Sequence, residues 1–544
     1  MNMVYMKRYT KTFVWISKIS LISKISLISM VSLAWAGDFR GPFEPAWKSL
    51  KTHYRISRWF QDGKFDFYML SRQPDPEGTM RSEALRGRNG VFPSPQDSLG
   101  WKSDTPGDVP CSTAFAFRII GAGTEGKRIV FDFGPGRLRA GAIRILPTTM
   151  YAQGLGYGFE EGFEVQGVDR KGKDALRSDF CTGEKAFAFS VRLPEGNYDV
   201  TVFLGDLEGE SDNAIKAESR RLMLENLSTR RGQVISRTFT VNIRTPCITS
   251  GGEVRLNARE QGVLHWDDKL TLEFNGKRPC VCGLEIRRAE KAVTIYIAGN
   301  STVTDQTREP WAAWGQMLPR FFKAGAAVAN HAESGESLKG FFAQRRFDKI
   351  FSAIKPGDYL FVEFGHNDQK SGPAHADAFT EYKDLLGRVV DETRRRGAVP
   401  VLVTPLHRRN FDSTGTVMNT LGDYPEAVRR AAAEKKTALI DLNAMSKAFY
   451  EALGPEASKR AFVHYPAGTF PDQPGELKDN THFNPYGAYE LAKCVVAGIR
   501  SAGLGIAKYL TNDVPPFDPA RPDPVDSWTW PASPYTPIVK PSGN

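Results

Sequence analysis

VTIYIAGNSTVTDQ, residues 293–306, begins with the apolar positions Val293, Ile295, Ile297 and Ala298 and stops at Gly299-Asn300-Ser301-Thr302. The β-branched run has the length of a buried strand. A strand ending in a small polar turn puts one side chain at the carboxyl edge of a parallel sheet, where open α/β folds keep their ligands. Ser301 is the candidate for that side chain. The competing reading is a serine capping the next helix, a common use of such a turn.

Downstream, Ala326–Asn330, Tyr359–Phe364, Val399–Thr404 and Thr437–Leu442 repeat the pattern of a short apolar run followed by a polar or amphipathic stretch of helix length. This alternation predicts a parallel sheet flanked by helices. Upstream the pattern changes. Ala114–Ile120, Arg128–Phe133, Tyr198–Leu204, Val234–Ile243 and Leu270–Phe274 are β-type runs separated by Gly-, Asp- and Asn-containing turns, which predicts an all-β sandwich over 111–290. The charged junction Arg287–Lys291 marks the boundary. Gly121, Gly123 and Gly126 formally match a dinucleotide-binding fingerprint, but a strand-like run rather than a helix follows, so they read as a hairpin loop.

The 544 residues suggest two domains rather than one core. Residues 1–36 carry Lys7, Arg8, Lys11, Lys18 and Lys24, no acid, then an apolar run from Ile25 to Trp35 and an Ala34-Trp35-Ala36 terminus. That is the layout of a cleaved signal peptide, the competing reading being an uncleaved membrane anchor, and it predicts export to the periplasm or the medium, with no stable membrane insertion after cleavage. The leader holds five of the positive charges, so its removal lowers the net charge from +10 to +5. Residues 37–110 have no sustained period and read as an irregular or partly helical lead-in. Arg394, Arg395 and Arg396 read as a solvated helix face, without the interleaved aromatics of a nucleic-acid surface. Five of the six cysteines precede residue 290, so any disulfide belongs to the first domain; Cys280-Val281-Cys282 is too closely spaced for half a zinc ribbon. The last stretch, 506–544, becomes proline-rich from Val514 and contains Trp528, Trp530 and Tyr535, which predicts an extended arm pinned to its own chain, the competing reading being a ligand for a partner's proline-binding groove.

Four blocks stand in order along the second half: AGNSTVTDQ (298–306), NHAESGESLKGF (330–341), VEFGHNDQK (362–370) and DNTHFNPYGA (479–488). Together they resemble the conserved blocks of the SGNH (GDSL) hydrolases, and most closely the rhamnogalacturonan acetylesterase branch. The resemblance covers residues 293 to about 503. The segment Tyr151 to Phe159, with Asp132-Phe133-Gly134, resembles the galactose-binding-like sandwich found ahead of such catalytic domains. It could hold sugar on its aromatics, although core packing is the commoner use of such residues.

The resemblance implies a flavodoxin-like SGNH domain over 291–505 and a serine esterase. Ser301 would be the nucleophile, His482 its base and Asp479 the acid that orients the imidazole, the D-x-x-H pair lying on one turn before a helix that starts at Pro485. His366, His375, His407 and His464 are the competing bases; Asp479 could alternatively be a helix cap. By the same analogy the backbone N–H groups of Ser301 and Gly335 and the side-chain amide of Asn367 form the oxyanion hole. The family's usual Gly-Asp-Ser is Gly299-Asn300-Ser301 here; asparagine can still accept hydrogen bonds from the turn. No metal or cofactor is implied, since there is no H-E-x-x-H motif and the eight histidines do not cluster. The expected substrate is an acetylated acidic polysaccharide of the pectin type. The alternatives are another acetylated glycan such as xylan, a lipid or a thioester, or a pectin-binding protein with an inert hydrolase half.

Overall fold

Val293–Gly299 is a strand with both neighbours parallel to it: Ala326–Asn330 on one side and Tyr359–Glu363 on the other. Val399–Val403 and Ala438–Ile440 extend the sheet, giving the order second, first, third, fourth, fifth along the chain. The order reverses between the first and third strands, so their carboxyl ends open a crevice. The computed structural model describes residues 128–542, together with the backbone of 54–62 and 65–72.

Alternation along the strands builds two layers. Ile295, Ile297, Phe361, Val401 and Val403 face one helical layer, and Tyr296, Ala298, Leu360, Val362 and Leu402 face the other. Leu442–Ala457 and Pro485–Ser501 cover the first face; Lys383–Arg395 and Tyr424–Lys435 cover the second. Each fully buried aliphatic side chain of this kind contributes about 1.5–3 kcal/mol. The predicted α/β architecture with a preceding β-sandwich is therefore the observed one. The fifth strand is shorter than the run Thr437–Leu442, because Asp441 turns the chain into a helix by accepting the N–H of Ala444.

The sandwich packs a five-stranded sheet against a seven-stranded one. Its core is aromatic: Phe131, Phe133, Phe159, Phe187, Phe189 and Phe274 are all buried, with ring centroids 4.9 to 6.4 Å apart among contacting pairs around Phe133. Phe133 and Phe159 thus serve packing, and Tyr151 lies under the Lys269 ammonium at 4.6 Å. Cys280 and Cys282 are free thiols packed with Leu176, Phe180 and Phe203, while Cys247 is disulfide-bonded.

Separately, Tyr54–Asp62 and Phe65–Arg72 pair as antiparallel strands, where an irregular or partly helical segment was expected. The signal missed is Gly63-Lys64 between two alternating runs, a Gly-x pair of the kind used in two-residue hairpin loops. The leader, the Ala114–Ile120 run and the Gly121–Gly126 loop lie outside the described residues.

From Val514 onward the chain is extended, with one short 3-10 turn at Val525–Ser527. Trp528 stacks on Tyr489 at 4.5 Å and donates its indole N–H to Glu225; Trp530 donates to Glu309 and lies under the Lys216 ammonium at 3.9 Å.

Candidate active site

Three carboxyl-edge loops and one helix entrance converge. The first strand leads directly into Asn300 and Ser301. Asn300 Oδ1 accepts from the Thr302 N–H at 3.0 Å and from the Thr302 hydroxyl at 2.8 Å, and its carbonyl accepts the N–H groups of Val303 and Thr304. The asparagine thus fills the turn-forming role of the family's usual aspartate. The next helix begins only at Trp314, so Ser301 is not a helix cap. Gln306 donates to the Ser301 carbonyl at 2.7 Å and reaches the Ser334 hydroxyl of the second block at 3.5 Å.

The fourth block sits on a strand, Leu477–Phe483, rather than on a helical turn. Its pairing with Phe462–Tyr465 jumps from Val463↔Asp479 to Phe462↔Phe483, so Asn480, Thr481 and His482 have no cross-strand partners and bulge out. Asp479 holds the bulge, its Oδ1 accepting the N–H groups of Thr481 at 2.9 Å and His482 at 3.0 Å. Asn484, not Asp479, caps the following helix. Gly487 is required there: a Cβ on it would meet the Ala461 carbonyl oxygen at 1.9 Å.

These devices bring His482 Nε2 to 2.9 Å from Ser301 Oγ and His482 Nδ1 to 2.8 Å from Asp479 Oδ2. A carboxylate can only accept, so Nδ1 carries the hydrogen and Nε2 presents its lone pair to the serine hydroxyl. Ser301, Asp479 and His482 are 2%, 4% and 1% exposed, which removes most competing water. Burial by itself raises the Asp479 carboxyl. The hydrogen bond and charge of His482, with the backbone N–H groups of His482 and Thr481, outweigh it and hold the group well below the usual carboxylate range. Trp311 adds an indole N–H 3.4 Å from the same Oδ2.

Two of the competing histidines are bonded elsewhere, and His407, which is buried, is pushed below the ordinary histidine value by burial. His464 bonds Asn480 at 2.8 Å, and His375 bonds Asp377 at 3.2 Å. His366 is buried; burial, then the charges of Arg408 and His482, push its imidazole far below the ordinary histidine value. Its neighbour Asp368 instead accepts the N–H groups of Leu338 and Gly365, locking the second block to the third.

Gly335 has φ +83°, a left-handed conformation that favours glycine, and turns the second-block backbone at the site. Asn367 Nδ2 donates to the Glu336 carbonyl at 2.9 Å and its Oδ1 accepts from Lys370 at 2.9 Å, so the amide orientation is fixed with nitrogen toward the second block.

The supporting shell escaped sequence reasoning. Arg221, from the sandwich strand Arg221–Thr229, pairs with Asp305 at 2.5 Å, both side chains 1% exposed, and Asp305 also accepts from Asn330 at 2.8 Å. Removing one partner of such a buried pair costs about 3–5 kcal/mol. Arg220 donates to the carbonyls of Gln306 and Trp311, each at 3.0 Å. The sandwich therefore braces the Ser301 loop. The consecutive arginines in a predicted β region were the available signal, but their partners lie about 85 residues away.

Beneath the loop, Glu363 accepts from the Trp314 indole at 2.6 Å and lies 3.2 Å from the Thr302 hydroxyl. Burial raises its carboxyl to about 7, against the lowering effect of those two hydrogen bonds. A protonated Glu363 can donate to Thr302, which then donates to Asn300, so the neutral acid suits the chain of bonds. Its folded value lies above its unfolded one, so the fold keeps a proton that the unfolded chain releases, and stability falls as pH rises from about 4.5 through 7. Urea unfolding at pH 5 and pH 8 should show this fall. Glu363→Gln, which mimics the protonated form, should reduce it by roughly 2–3 kcal/mol. An equal fall in both proteins would show that Glu363 does not titrate with folding.

Residues 297–488 match the GDSL-like lipase/acylhydrolase family, and residues 129–233 match the beta-agarase/YXIM esterase-like, galactose-binding domain-like family. The chain is 41% identical to rhamnogalacturonan acetylesterase RhgT of Bacillus subtilis over 225 residues, 41% of this chain and 96% of that protein. It is 35% identical to the probable rhamnogalacturonan acetylesterase YesY of the same organism, over 40% of this chain and 98% of the relative. The uncharacterized esterase YxiM, also from Bacillus subtilis, is 29% identical over 394 residues, 70% of this chain and 92% of that protein, and so extends across the sandwich as well. With this extent of identity over nearly whole relatives, the chain belongs to the GDSL-like lipase/acylhydrolase family and is an ester hydrolase joined to a galactose-binding-like sandwich.

Proposed function

We propose that this protein is an exported esterase that removes O-acetyl groups from pectic polysaccharide, with rhamnogalacturonan as its substrate, through an acyl-enzyme on Ser301. The observation that carries the reaction is the unbroken relay from Ser301 Oγ through His482 to Asp479, at 2.9 and 2.8 Å. The substrate rests on the likeness to RhgT and YesY, and export on the leader at 1–36.

Ser301 Oγ attacks the acetyl carbonyl carbon while His482 Nε2 takes its proton. The carbonyl oxygen becomes an oxyanion facing the N–H groups of Ser301 and Gly335 and the second hydrogen of Asn367 Nδ2, whose first is used on Glu336. Each preorganised donor of this kind lowers the barrier by roughly 2.7–4 kcal/mol. The intermediate collapses by breaking the bond to the sugar oxygen, which leaves with the proton from His482. Water then attacks acetyl-Ser301 with His482 as base, and acetate departs.

The test is acetate release from acetylated rhamnogalacturonan beside acetylated xylan, with the purified protein lacking residues 1–36. Release from the pectic polymer in strong preference to xylan is expected. Release from xylan alone would keep the esterase and discard the substrate. Pectin binding with no hydrolysis of any ester would replace the enzyme with a binding protein.

A further inference from the structure

The C-terminal arm has an anchored half and a presented half. The anchor ends near Ser533, whose N–H is bonded to Glu309 at 3.1 Å and whose hydroxyl is bonded to Glu273 at 3.0 Å; Asn275 holds the Ala532 carbonyl at 2.9 Å. Beyond it the residues are mostly exposed, and Arg308 steadies the path by donating to the Pro537 carbonyl at 2.7 Å. Prolines at 531, 534 and 537 recur every third residue, the spacing that stiffens an extended chain without internal hydrogen bonds. Lys540 and Ser542 bring the arm to the site. Lys540 Nζ stands 4.0 Å from Asp479 Oδ2, and Ser542 lies so close to Gly335 that a Cβ there would be 3.3 Å from the Ser542 Cβ. The arm therefore reaches from the acid end of the relay to the second-block loop.

Asp479 is already well served: its Oδ2 has His482 and Trp311, and its Oδ1 has two backbone N–H groups. The Lys540 ammonium stands at the outer limit of an ion pair and its side chain is 54% exposed, so turning it toward another anion costs little. On the Gly335 side Arg259, 41% exposed, clamps Glu333 at 2.8 Å and the Ser334 carbonyl, which puts a second cation beside the loop. A neutral sugar offers these cations nothing to pair with; a uronate carboxylate does.

We propose that the arm completes the substrate cleft and that Lys540 selects acidic over neutral acetyl esters by pairing with a uronate carboxylate next to the acetylated hydroxyl. The assignment rests on the esterase reading above and deepens it. It makes specificity depend on a residue about 240 positions from the nucleophile, outside all four sequence blocks.

The test compares kcat/KM for acetylated methyl galacturonoside with that for its neutral methyl ester, in the full-length protein and in Lys540→Ala, Lys540→Arg and Lys540→Glu. Lys540→Ala should lower the acid-to-neutral ratio about tenfold, chiefly through KM. Lys540→Arg should keep most of the preference, and Lys540→Glu should invert it. An unchanged ratio in Lys540→Ala overturns the assignment, as does an equal rise on both substrates in Lys540→Ala and in a chain ending at Ser533, which would make the arm a lid. A Lys540-dependent ratio without acetate release from acetylated rhamnogalacturonan would sustain the assignment and remove the polymer from the proposed function. No hydrolysis of any of these substrates would remove both.

Discussion

Alanine at Ser301 or at His482 is expected to lower the turnover of acetyl esters about a million-fold, and alanine at both to cost no more than either alone. The reason is that the two side chains act as one group. His482 Nε2 has no task in the first step except to receive the proton of the hydroxyl 2.9 Å away, and that hydroxyl is a weak nucleophile until the proton leaves. Once one member is lost, the other contributes nothing further. The residual rate comes from the oxyanion donors and substrate binding, which remain in place. Acetate release from the polymer and from an aryl acetate would be measured for the two single variants and the double. Thermal unfolding would show that the fold persists. Additive losses, or a Ser301→Ala protein retaining a tenth of the wild-type rate, would remove Ser301 from the nucleophile role.

The parts of this molecule visible in its sequence are those where one residue's neighbours lie close along the chain. Val293–Gly299 reads as a strand because its apolar positions adjoin a small polar turn, and the other four parallel strands repeat that pattern. Ser301, Asp479 and His482 stand in short blocks whose composition is itself unusual. The sandwich was legible only in part. Ser211–Ala217 and Arg221–Thr229 are strands that look too polar to be buried, because Lys216, Asn213 and Arg221 find their partners at Glu273, Cys280 and Asp305. Pairing of this kind reverses the ordinary link between charge and exposure. The bulge at Asn480–His482 was hidden for a related reason: a register jump depends on the opposite strand, and nothing local announces it. Lys540 is the extreme case, since its place is set by aromatic anchors on two different domains.

Asp479→Asn should drop kcat/KM about ten-thousand-fold at neutral pH while preserving the fold. The substitution keeps size and shape, so the loss comes from direction alone. Asp479 Oδ1 receives two backbone N–H groups, from Thr481 and His482, and only an acceptor can stand there. An asparagine must therefore keep its carbonyl oxygen at that position and turn its NH₂ toward His482 Nδ1. Two donors cannot share one hydrogen bond, so Nδ1 gives up its hydrogen and the imidazole carries it on Nε2, pointing at Ser301. The base is then already protonated on the atom that should receive the serine proton. The alternative flip gains nothing, because it sets the NH₂ against both backbone donors of the bulge. At the Oδ2 position the Trp311 indole N–H and the Lys540 ammonium stand farther off, at 3.4 and 4.0 Å, so facing them with the NH₂ costs less than facing the backbone donors at 2.9 and 3.0 Å. Asp479→Ala removes this conflict and leaves space for water to accept from Nδ1. It should therefore impair the reaction no more than the isosteric asparagine does. If Asp479→Asn kept a tenth of the wild-type kcat/KM, the carboxylate would not be setting the tautomer of His482.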